Sequence, residues 1–109
     1  MEGVSLEDKR LPEYISNSAL LVSTVTAGMD PDIPLVIDPA WLHKDLAVCD
    51  IVYTPPETNL LKAAAQRGLK TVGGMGMLVH QGAISFQLWT GKQPPIKTMR
   101  RALAEALEL

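Results

Sequence analysis

Short apolar runs and longer periodic stretches alternate along this chain of 109 residues. A short apolar run bounded by turn residues is typical of a strand in a parallel sheet, because such strands are buried on both faces. We therefore predict a strand over Ala19–Val25, buried on both faces, a second over Cys49–Tyr53 and a short third over Lys70–Val72. Prolines follow the second run directly and end it, because proline cannot donate a ladder hydrogen bond.

The periodic stretches predict helices between and after these strands. Apolar residues recur at helical spacing over Glu57–Arg67, where Thr58 is a candidate N-cap and Gly68 a stop. The other predicted helical segments are Leu6–Ile15, a turn from Pro39 to about Lys44 capped by Asp38, Met77–Trp89 ending at Thr90-Gly91, and an amphipathic helix after Pro95.

Strands that alternate with helices over connections of this length predict an α/β fold with a parallel sheet. At 109 residues the chain forms one domain at most, so we treat residues 1–109 as a single domain. The Met77–Trp89 segment has hardly any polar face, and such a helix needs cover on several sides. We expect part of that cover to come from another domain or another copy of the chain.

Composition excludes several classes of protein. With 47% hydrophobic residues, 20% charged residues and a net charge of −2, the chain resembles an ordinary globular protein and offers no basic surface for nucleic acid. We expect no membrane span, because no apolar run approaches the required length of about 18 residues. The one cysteine, Cys49, is predicted to be a buried filler and fits a reducing compartment, so we expect a cytoplasmic protein.

Several residues are candidates for chemistry. The glycines of Gly73–Gly76 lie between a strand and a helix, where they suit either a ligand or a tight turn. Gln81 is an amide on a helix that is largely apolar, and a buried amide must bond either a substrate hydroxyl or a neighbouring carbonyl. Tyr53 ends a strand at the edge where ligands bind in α/β sheets, although a core tyrosine with a solvated tip fits equally well.

The hydroxyls of Ser23, Thr24 and Thr26 end the first strand and are open to the same two interpretations, ligand contact or ordinary packing. We predict no metal site, because His43 and His80 have no further ligand at suitable spacing. No nucleophile with an obvious base is found.

Three segments resemble the carboxyl-terminal third of shikimate dehydrogenases. They are DIVYTPPETNLL over residues 50–61, GMGMLVHQGA over residues 74–83 and WTG over residues 89–91, and a weaker likeness at STVTAGM over residues 23–29 extends the similarity to about residues 17–107. The resemblance implies a partial Rossmann-like parallel sheet with flanking helices and carboxyl-terminal helices. It also implies the family's reaction, the reversible NADPH-dependent reduction of 3-dehydroshikimate to shikimate in chorismate and aromatic amino acid biosynthesis.

The resemblance also assigns roles to residues. Tyr53 and Gln81 match positions that contact shikimate or 3-dehydroshikimate, and Gly74 and Met77 match positions at the nicotinamide end of NADP. Thr24, Val25 and Thr26 fall at the nucleotide-contacting strand end, although family members usually show an Asn-Thr/Ala-Thr-type pattern there, and Gly73 stands where an aspartate is common.

Members of the family carry their catalytic lysine and aspartate in an amino-terminal substrate domain, followed by a glycine-rich phosphate loop. Lys9, Lys44 and Lys62 match neither motif, so no catalytic residue is predicted in this chain. The resemblance thus implies a fragment or split half of a shikimate dehydrogenase, inactive alone and completed by the missing substrate domain or a second copy. A non-catalytic binding or assembly module that keeps this fold, or part of a quinate/shikimate dehydrogenase paralogue, is the alternative.

Overall fold

The structure is a computed structural model that describes residues 1–109. It is built around a three-stranded parallel sheet. The strands lie in the order β1-β2-β3, and the first helix precedes them. In chain order the elements are α1 (Leu11–Ser16), β1 (Leu20–Ser23), a 3-10 turn (Thr26–Met29), a second 3-10 turn (Pro39–Trp41), β2 (Ala47–Asp50), α2 (Asn59–Gln66), β3 (Lys70–Val72), α3 (Gly74–Thr90) and α4 (Ile96–Ala106).

The register of the sheet brings the ends of β1 and β2 together. Leu21 lies opposite Val48 and Ser23 opposite Asp50, while Cys49 lies opposite Val72 of β3. Both pairings are parallel, as the alternation of strands and helices predicts. The carboxyl ends of β1 and β2 therefore meet at one edge of the sheet.

The hydrophobic core lies on one face of the sheet, between β2, the short α1 and α2. Its buried side chains come from α1, β2, α2 and the loop positions next to regular elements: Ile15, Leu42, Leu46, Val48, Leu60, Leu61, Ala64 and Leu69. Ala64 is fully buried and Val48 is 1% exposed, so this side is tightly packed. The core therefore forms on the side of the sheet that the crossover segments cover.

The opposite face of the sheet is apolar and open. Leu20 is 56% exposed, Val22 47% and Val72 60%. The prediction that the first strand is buried on both faces is therefore wrong, because β1 is an edge strand whose outward-pointing residues no helix of this chain covers. Cys49, predicted to be a buried filler, lies on the central strand β2 beside Val22 and Val72, faces the same uncovered side and is only half-buried.

Several element boundaries differ from the predicted ones: β1 spans Leu20–Ser23 rather than Ala19–Val25, and the ends of β2 and of the first helix differ for local reasons. β2 ends at Asp50 rather than Tyr53, because the Val52 N–H donates to Asp50 Oδ1 at 3.1 Å instead of to a neighbouring strand. The first helix begins at Leu11 rather than Leu6, with Pro12 in its first turn, where a missing N–H costs nothing.

The predicted helix caps are confirmed. Asp38 accepts a hydrogen bond from Ala40 N, although the 3-10 turn that it starts ends at Trp41, short of Lys44. Thr58 caps α2 by accepting from Leu61 N at 3.3 Å. The sequence after α2 also behaves as expected, because Gly68 has a positive φ of 71°, a conformation that favours glycine.

The long helix α3 begins at Gly74, three residues earlier than predicted, and ends at Thr90, where Gly91 adopts a φ of 67°. Val79 and Ala83 are buried, and α4 packs beside the helix. Ile84, Leu88 and Trp89 remain 62%, 78% and 84% exposed. Much of the apolar surface that the sequence places on α3 is thus open. None of the helices combines the length and the apolar character needed to span a lipid bilayer.

Side-chain contacts join the amino-terminal segment to α1. Arg10 Nη2 lies 3.0 Å from Asp8 Oδ2, and its hydrogen bonds to that carboxylate hold the pKa of Asp8 below its ordinary value. The Tyr14 hydroxyl donates to Glu2 Oε1 at 2.9 Å, which raises the pKa of Tyr14. These contacts lie on the surface and organise the approach of the chain to the first helix.

The start of α3 provides a test of this packing. A Cβ added at Gly74 would overlap the Ile51 carbonyl group, whereas one added at Gly76 meets nothing within 4 Å. We expect Gly74→Ala to lower the free energy of unfolding by about 2–3 kcal/mol, because the backbone of Ile51 must move. Gly76→Ala, the matched control, should instead stabilise the helix by about 0.5–1 kcal/mol. Urea denaturation followed by circular dichroism measures both, and equal effects would contradict the close approach.

Candidate functional site

An open cleft lies at the carboxyl ends of β1 and β2. The 3-10 turn that follows β1 forms one side, and the segment that follows β2 forms the other. The lining residues are Thr24, Val25, Thr26, Met29, Ile51, Val52, Tyr53 and Thr54. The structure thus brings the candidate residues Thr24, Val25 and Thr26 to the same cleft as Tyr53, although these residues are far apart in sequence.

The chemical character of this cleft is neutral. Its lining consists of threonine hydroxyls, one phenol and apolar side chains, without a lysine, arginine or carboxylate. Tyr53 is 39% exposed. A cleft of this composition suits a flat ring with an amide substituent better than a phosphate group, which needs positive charge or several free N–H groups.

Beyond Thr24 and Val25 lies a second cavity, whose lining is also mostly apolar. The segment Ile33–Ile37 and the inward face of β1 provide most of its wall, and Asp50 and Asn59 are among its few polar groups. Thr24 and Val25 line both spaces. The residues directly after β1 therefore lie between the neutral cleft and the second cavity.

A buried polar pair lies behind the cleft, and the sequence analysis does not identify it. Asp50 is 1% exposed and Thr58 is fully buried. The Thr58 hydroxyl donates to Asp50 Oδ2 at 2.9 Å, while Asp50 Oδ1 accepts from Val52 N. The alternation Val48-Cys49-Asp50 along β2 is the available signal, because it places Asp50 on the same face as the buried Val48.

Gly28, next to this pair, and Gly74, at the start of α3, both allow close packing within the protein. A Cβ at Gly28 would lie 3.1 Å from Asp50 Oδ2, which is tighter than an ordinary contact. At Gly74 the neighbouring atoms are those of Ile51 and Val52, and Gly74 N donates to Val52 O at 3.2 Å. The sequence leaves open whether these glycines approach a ligand or form a tight turn. At Gly74 the close neighbour is the protein's own backbone at Ile51 and Val52.

Gln81 lies on α3, one turn after Met77, and the two side chains share a face of the helix. The amide is exposed rather than buried, so the expectation of a buried amide is wrong: the helix surface here has no covering element. Its Nε2 donates to the Leu78 carbonyl at 2.9 Å, and Met77 is 53% exposed. Neither Met77 nor Gln81 lines the cleft of Tyr53, and both side chains are exposed to solvent.

Comparison with known proteins identifies the relatives of this fold. Residues 74–104 match the family model described as the Shikimate 5'-dehydrogenase C-terminal domain. The chain is 46% identical over 100 residues to the shikimate dehydrogenase (NADP(+)) of Methanosarcina barkeri, a match that covers 91% of this chain and 36% of the relative.

Two solved structures have the same architecture. Shikimate 5-dehydrogenase from Listeria monocytogenes, in complex with shikimate and NAD, superposes with a TM-score of 0.82 at 34% identity, covering 90% of this chain and 35% of that one. Quinate dehydrogenase from Corynebacterium glutamicum, in complex with NAD, superposes with a TM-score of 0.80 at 37% identity, covering 86% of this chain and 33% of that one.

The fold and these matches define the chain as a Rossmann-like α/β segment of the dehydrogenase class. It spans about a third of the length of the relatives that it matches. The chain belongs to the shikimate dehydrogenase family and corresponds to the carboxyl-terminal part of its members. The partial Rossmann-like sheet expected from the resemblance is confirmed.

The exposure of the two candidate substrate residues leads to a stability prediction. We expect Gln81→Ala and Tyr53→Phe to change the free energy of unfolding by no more than about 0.5 kcal/mol, because surface substitutions outside the core rarely do more. Chemical denaturation of each variant measures this. A loss of about 2 kcal/mol in either variant would show that the side chain supports the fold, since that is the scale of core substitutions.

Proposed function

We propose that this chain supplies the carboxyl-terminal part of an NADPH-dependent shikimate dehydrogenase, which reduces 3-dehydroshikimate reversibly to shikimate. The observation that carries the proposal is the cleft at the ends of β1 and β2, which gathers Thr24, Val25, Thr26 and Tyr53. An amino-terminal substrate domain, or a second copy, would complete the enzyme. The lone free cysteine, Cys49, suits a cytoplasmic location.

The cleft fits the nicotinamide end of NADP. Val25 and Met29 offer apolar surface to the faces of the ring, and the hydroxyls of Thr24 and Thr26 offer partners to its amide and ribose. NADPH, when bound, supplies the hydride. The negatively charged pyrophosphate of NADP has no partner in this uncharged lining. A glycine-rich phosphate loop like that of the family, which the matched segments do not include, would contact it.

The chain's own residues would bind and orient the reactants. Gly74 and Met77, in the first turn of α3, stand beside the segment that follows β2, because Gly74 N bonds Val52 O. Gln81 follows Met77 by one turn, about 6 Å along the helix axis. In this arrangement Tyr53 and Gln81 would hydrogen-bond the substrate, and the Gln81 amide would leave the Leu78 carbonyl to do so.

A hybrid enzyme tests the proposal. Residues 17–107 of this chain would replace the matching segment of the Methanosarcina barkeri relative, with which the chain shares 46% identity. We expect the hybrid to consume NADPH in the presence of 3-dehydroshikimate and the 109-residue chain to show no turnover. A hybrid that folds but neither turns over nor binds NADPH would contradict the proposal, and ordinary turnover by the chain alone would contradict the assignment of catalysis to another domain.

Within the active hybrid, Gln81→Ala should mainly weaken substrate binding. The loss of one hydrogen bond to a substrate hydroxyl is worth roughly 1–3 kcal/mol, so we expect KM for shikimate to rise about 5- to 150-fold. Steady-state kinetics with shikimate and NADP measure the effect. Ser85→Ala, a control one turn further along the same helix, should leave KM within about twofold of its original value, since a neutral surface change is worth less than 0.5 kcal/mol. An unchanged KM and kcat in Gln81→Ala would remove Gln81 from the site.

Two alternatives follow from specific observations. The exposed apolar side chains of α3 and of the open sheet face favour a binding or assembly module, for which light scattering should show a stable assembly of the isolated chain. The similarity to quinate dehydrogenase favours a quinate/shikimate paralogue, for which the hybrid would be assayed with both substrates.

A further inference from the structure

The Asp50 carboxylate is unusual among the charged groups of this chain. It is 1% exposed, yet it belongs to neither of the ion pairs of the structure, Arg10 with Asp8 and Arg101 with Glu105. A buried carboxylate without a cation depends on hydrogen bonds for its stability. Asp50 has one on each oxygen, from Val52 N at 3.1 Å and from the Thr58 hydroxyl at 2.9 Å.

The Thr58 hydroxyl has a fixed role in this arrangement. Its oxygen already accepts from Leu61 N at 3.3 Å, as the N-cap of α2, which leaves its hydrogen free to donate to Asp50. The carboxylate therefore links the end of β2 to the start of α2. Because each oxygen faces a donor, the two bonds also fix the orientation of the carboxylate plane.

A third segment packs against the same carboxylate. A Cβ at Gly28 would lie 3.1 Å from Asp50 Oδ2, 3.4 Å from Thr58 Cγ2 and 3.5 Å from Val52 Cγ2. Gly28 belongs to the 3-10 turn that forms one side of the neutral cleft, and Val52 belongs to the other side. Asp50 is thus the group behind the cleft that both sides contact.

On these contacts we propose that Asp50 is a positioning residue that sets the separation of the two sides of the cleft, through its hydrogen bonds to Val52 and Thr58 and its contact with Gly28. The carboxylate does not touch substrate or cofactor. It acts by holding the turn of Thr26–Met29 and the segment leading to Tyr53 at a fixed distance. The expected effect of Asp50 on cofactor binding rests on the proposed function. Its effect on the separation of the two sides of the cleft does not.

Two substitutions at Thr58 separate the hydrogen bond from the shape. Thr58→Val keeps the shape of the side chain and removes both the donor to Asp50 and the acceptor for Leu61 N, whereas Thr58→Ser keeps both and removes the methyl group. Leu46→Val, in the same core but at the amino end of β2, controls for a general loss of stability. Each protein would be studied well below its own unfolding midpoint, so that only folded molecules are compared.

Amide NMR spectra of the full 109-residue chain test the geometry. We expect Thr58→Val to shift the resonances of Thr24, Thr26, Gly28 and Tyr53, and Thr58→Ser to restore them. Leu46→Val should leave these four resonances in place. Shifts confined to residues 58–62 in Thr58→Val, or equal shifts in Leu46→Val, would overturn the proposal.

Kinetics of the hybrid enzyme test the functional consequence. Thr58→Val should raise KM for NADPH about tenfold, the change that corresponds to the loss of one hydrogen bond, with kcat altered less. Thr58→Ser and Leu46→Val should stay within about twofold of the unsubstituted hybrid, a ratio below that of one hydrogen bond. Moved resonances with an unchanged KM would overturn the positioning role. An unsubstituted hybrid without activity would instead count against the proposed function, and the NMR result would still decide the role of Asp50.

Discussion

The contact between the backbone after β2 and the first residue of α3 determines where the long helix leaves the sheet. Gly74 N donates to Val52 O at 3.2 Å, and the absence of a side chain at Gly74 lets the two backbones meet against Ile51. The first turns of α3 take their position from this junction, because successive residues of a helix follow one another at a fixed rise of about 1.5 Å. Met77 and Gln81 are thus held at defined heights above the segment that carries Tyr53.

The apolar surface is distributed unevenly over the two faces of the sheet. One face of the sheet is filled by α1, α2 and the second 3-10 turn, while Val22 and Val72 on the other face remain open. Parallel sheets are generally covered on both faces, because their connections place helices on each side. Leu88 and Trp89, exposed on α3, extend the open apolar surface beyond the sheet. Both surfaces are therefore suited to further protein, which agrees with a chain that spans about a third of its relatives' length.

Local rules predict most of the fold. The parallel sheet, the caps at Asp38 and Thr58 and the glycine stops at Gly68 and Gly91 all follow from side-chain chemistry within a few residues, and all are present. Prediction from sequence fails where the structure of a segment depends on residues that are distant along the chain. Burial of β1 depends on whether a layer covers its outer face, which no pattern within Leu20–Ser23 reveals. The early start of α3 likewise depends on a hydrogen bond to Val52, more than twenty residues away.

In the candidate site, too, local sequence predicts some features, whereas others depend on distant residues. Position at a strand end predicts Tyr53 and the threonines after β1, because parallel strands end at a shared edge. Spacing alone predicts a buried Gln81, whereas its exposure depends on the neighbours of α3, so the amide bonds its own helix at Leu78. Asp50 is missed because a carboxylate in a strand is unusual and its partner Thr58 lies beyond a turn.

The chemistry of the cleft limits what this segment contributes to a reaction. Hydride transfer to a ketone requires a proton for the developing alkoxide, and a group that supplies it must lie within hydrogen-bond reach of that oxygen. The cleft offers threonine hydroxyls and the Tyr53 phenol but neither an ammonium nor a carboxylate, and the buried Asp50 is occupied by Val52 and Thr58. These side chains suit recognition of neutral groups. Under the proposed function, the segment would orient the two reactants, and the charged groups that the reaction requires would come from outside this cleft.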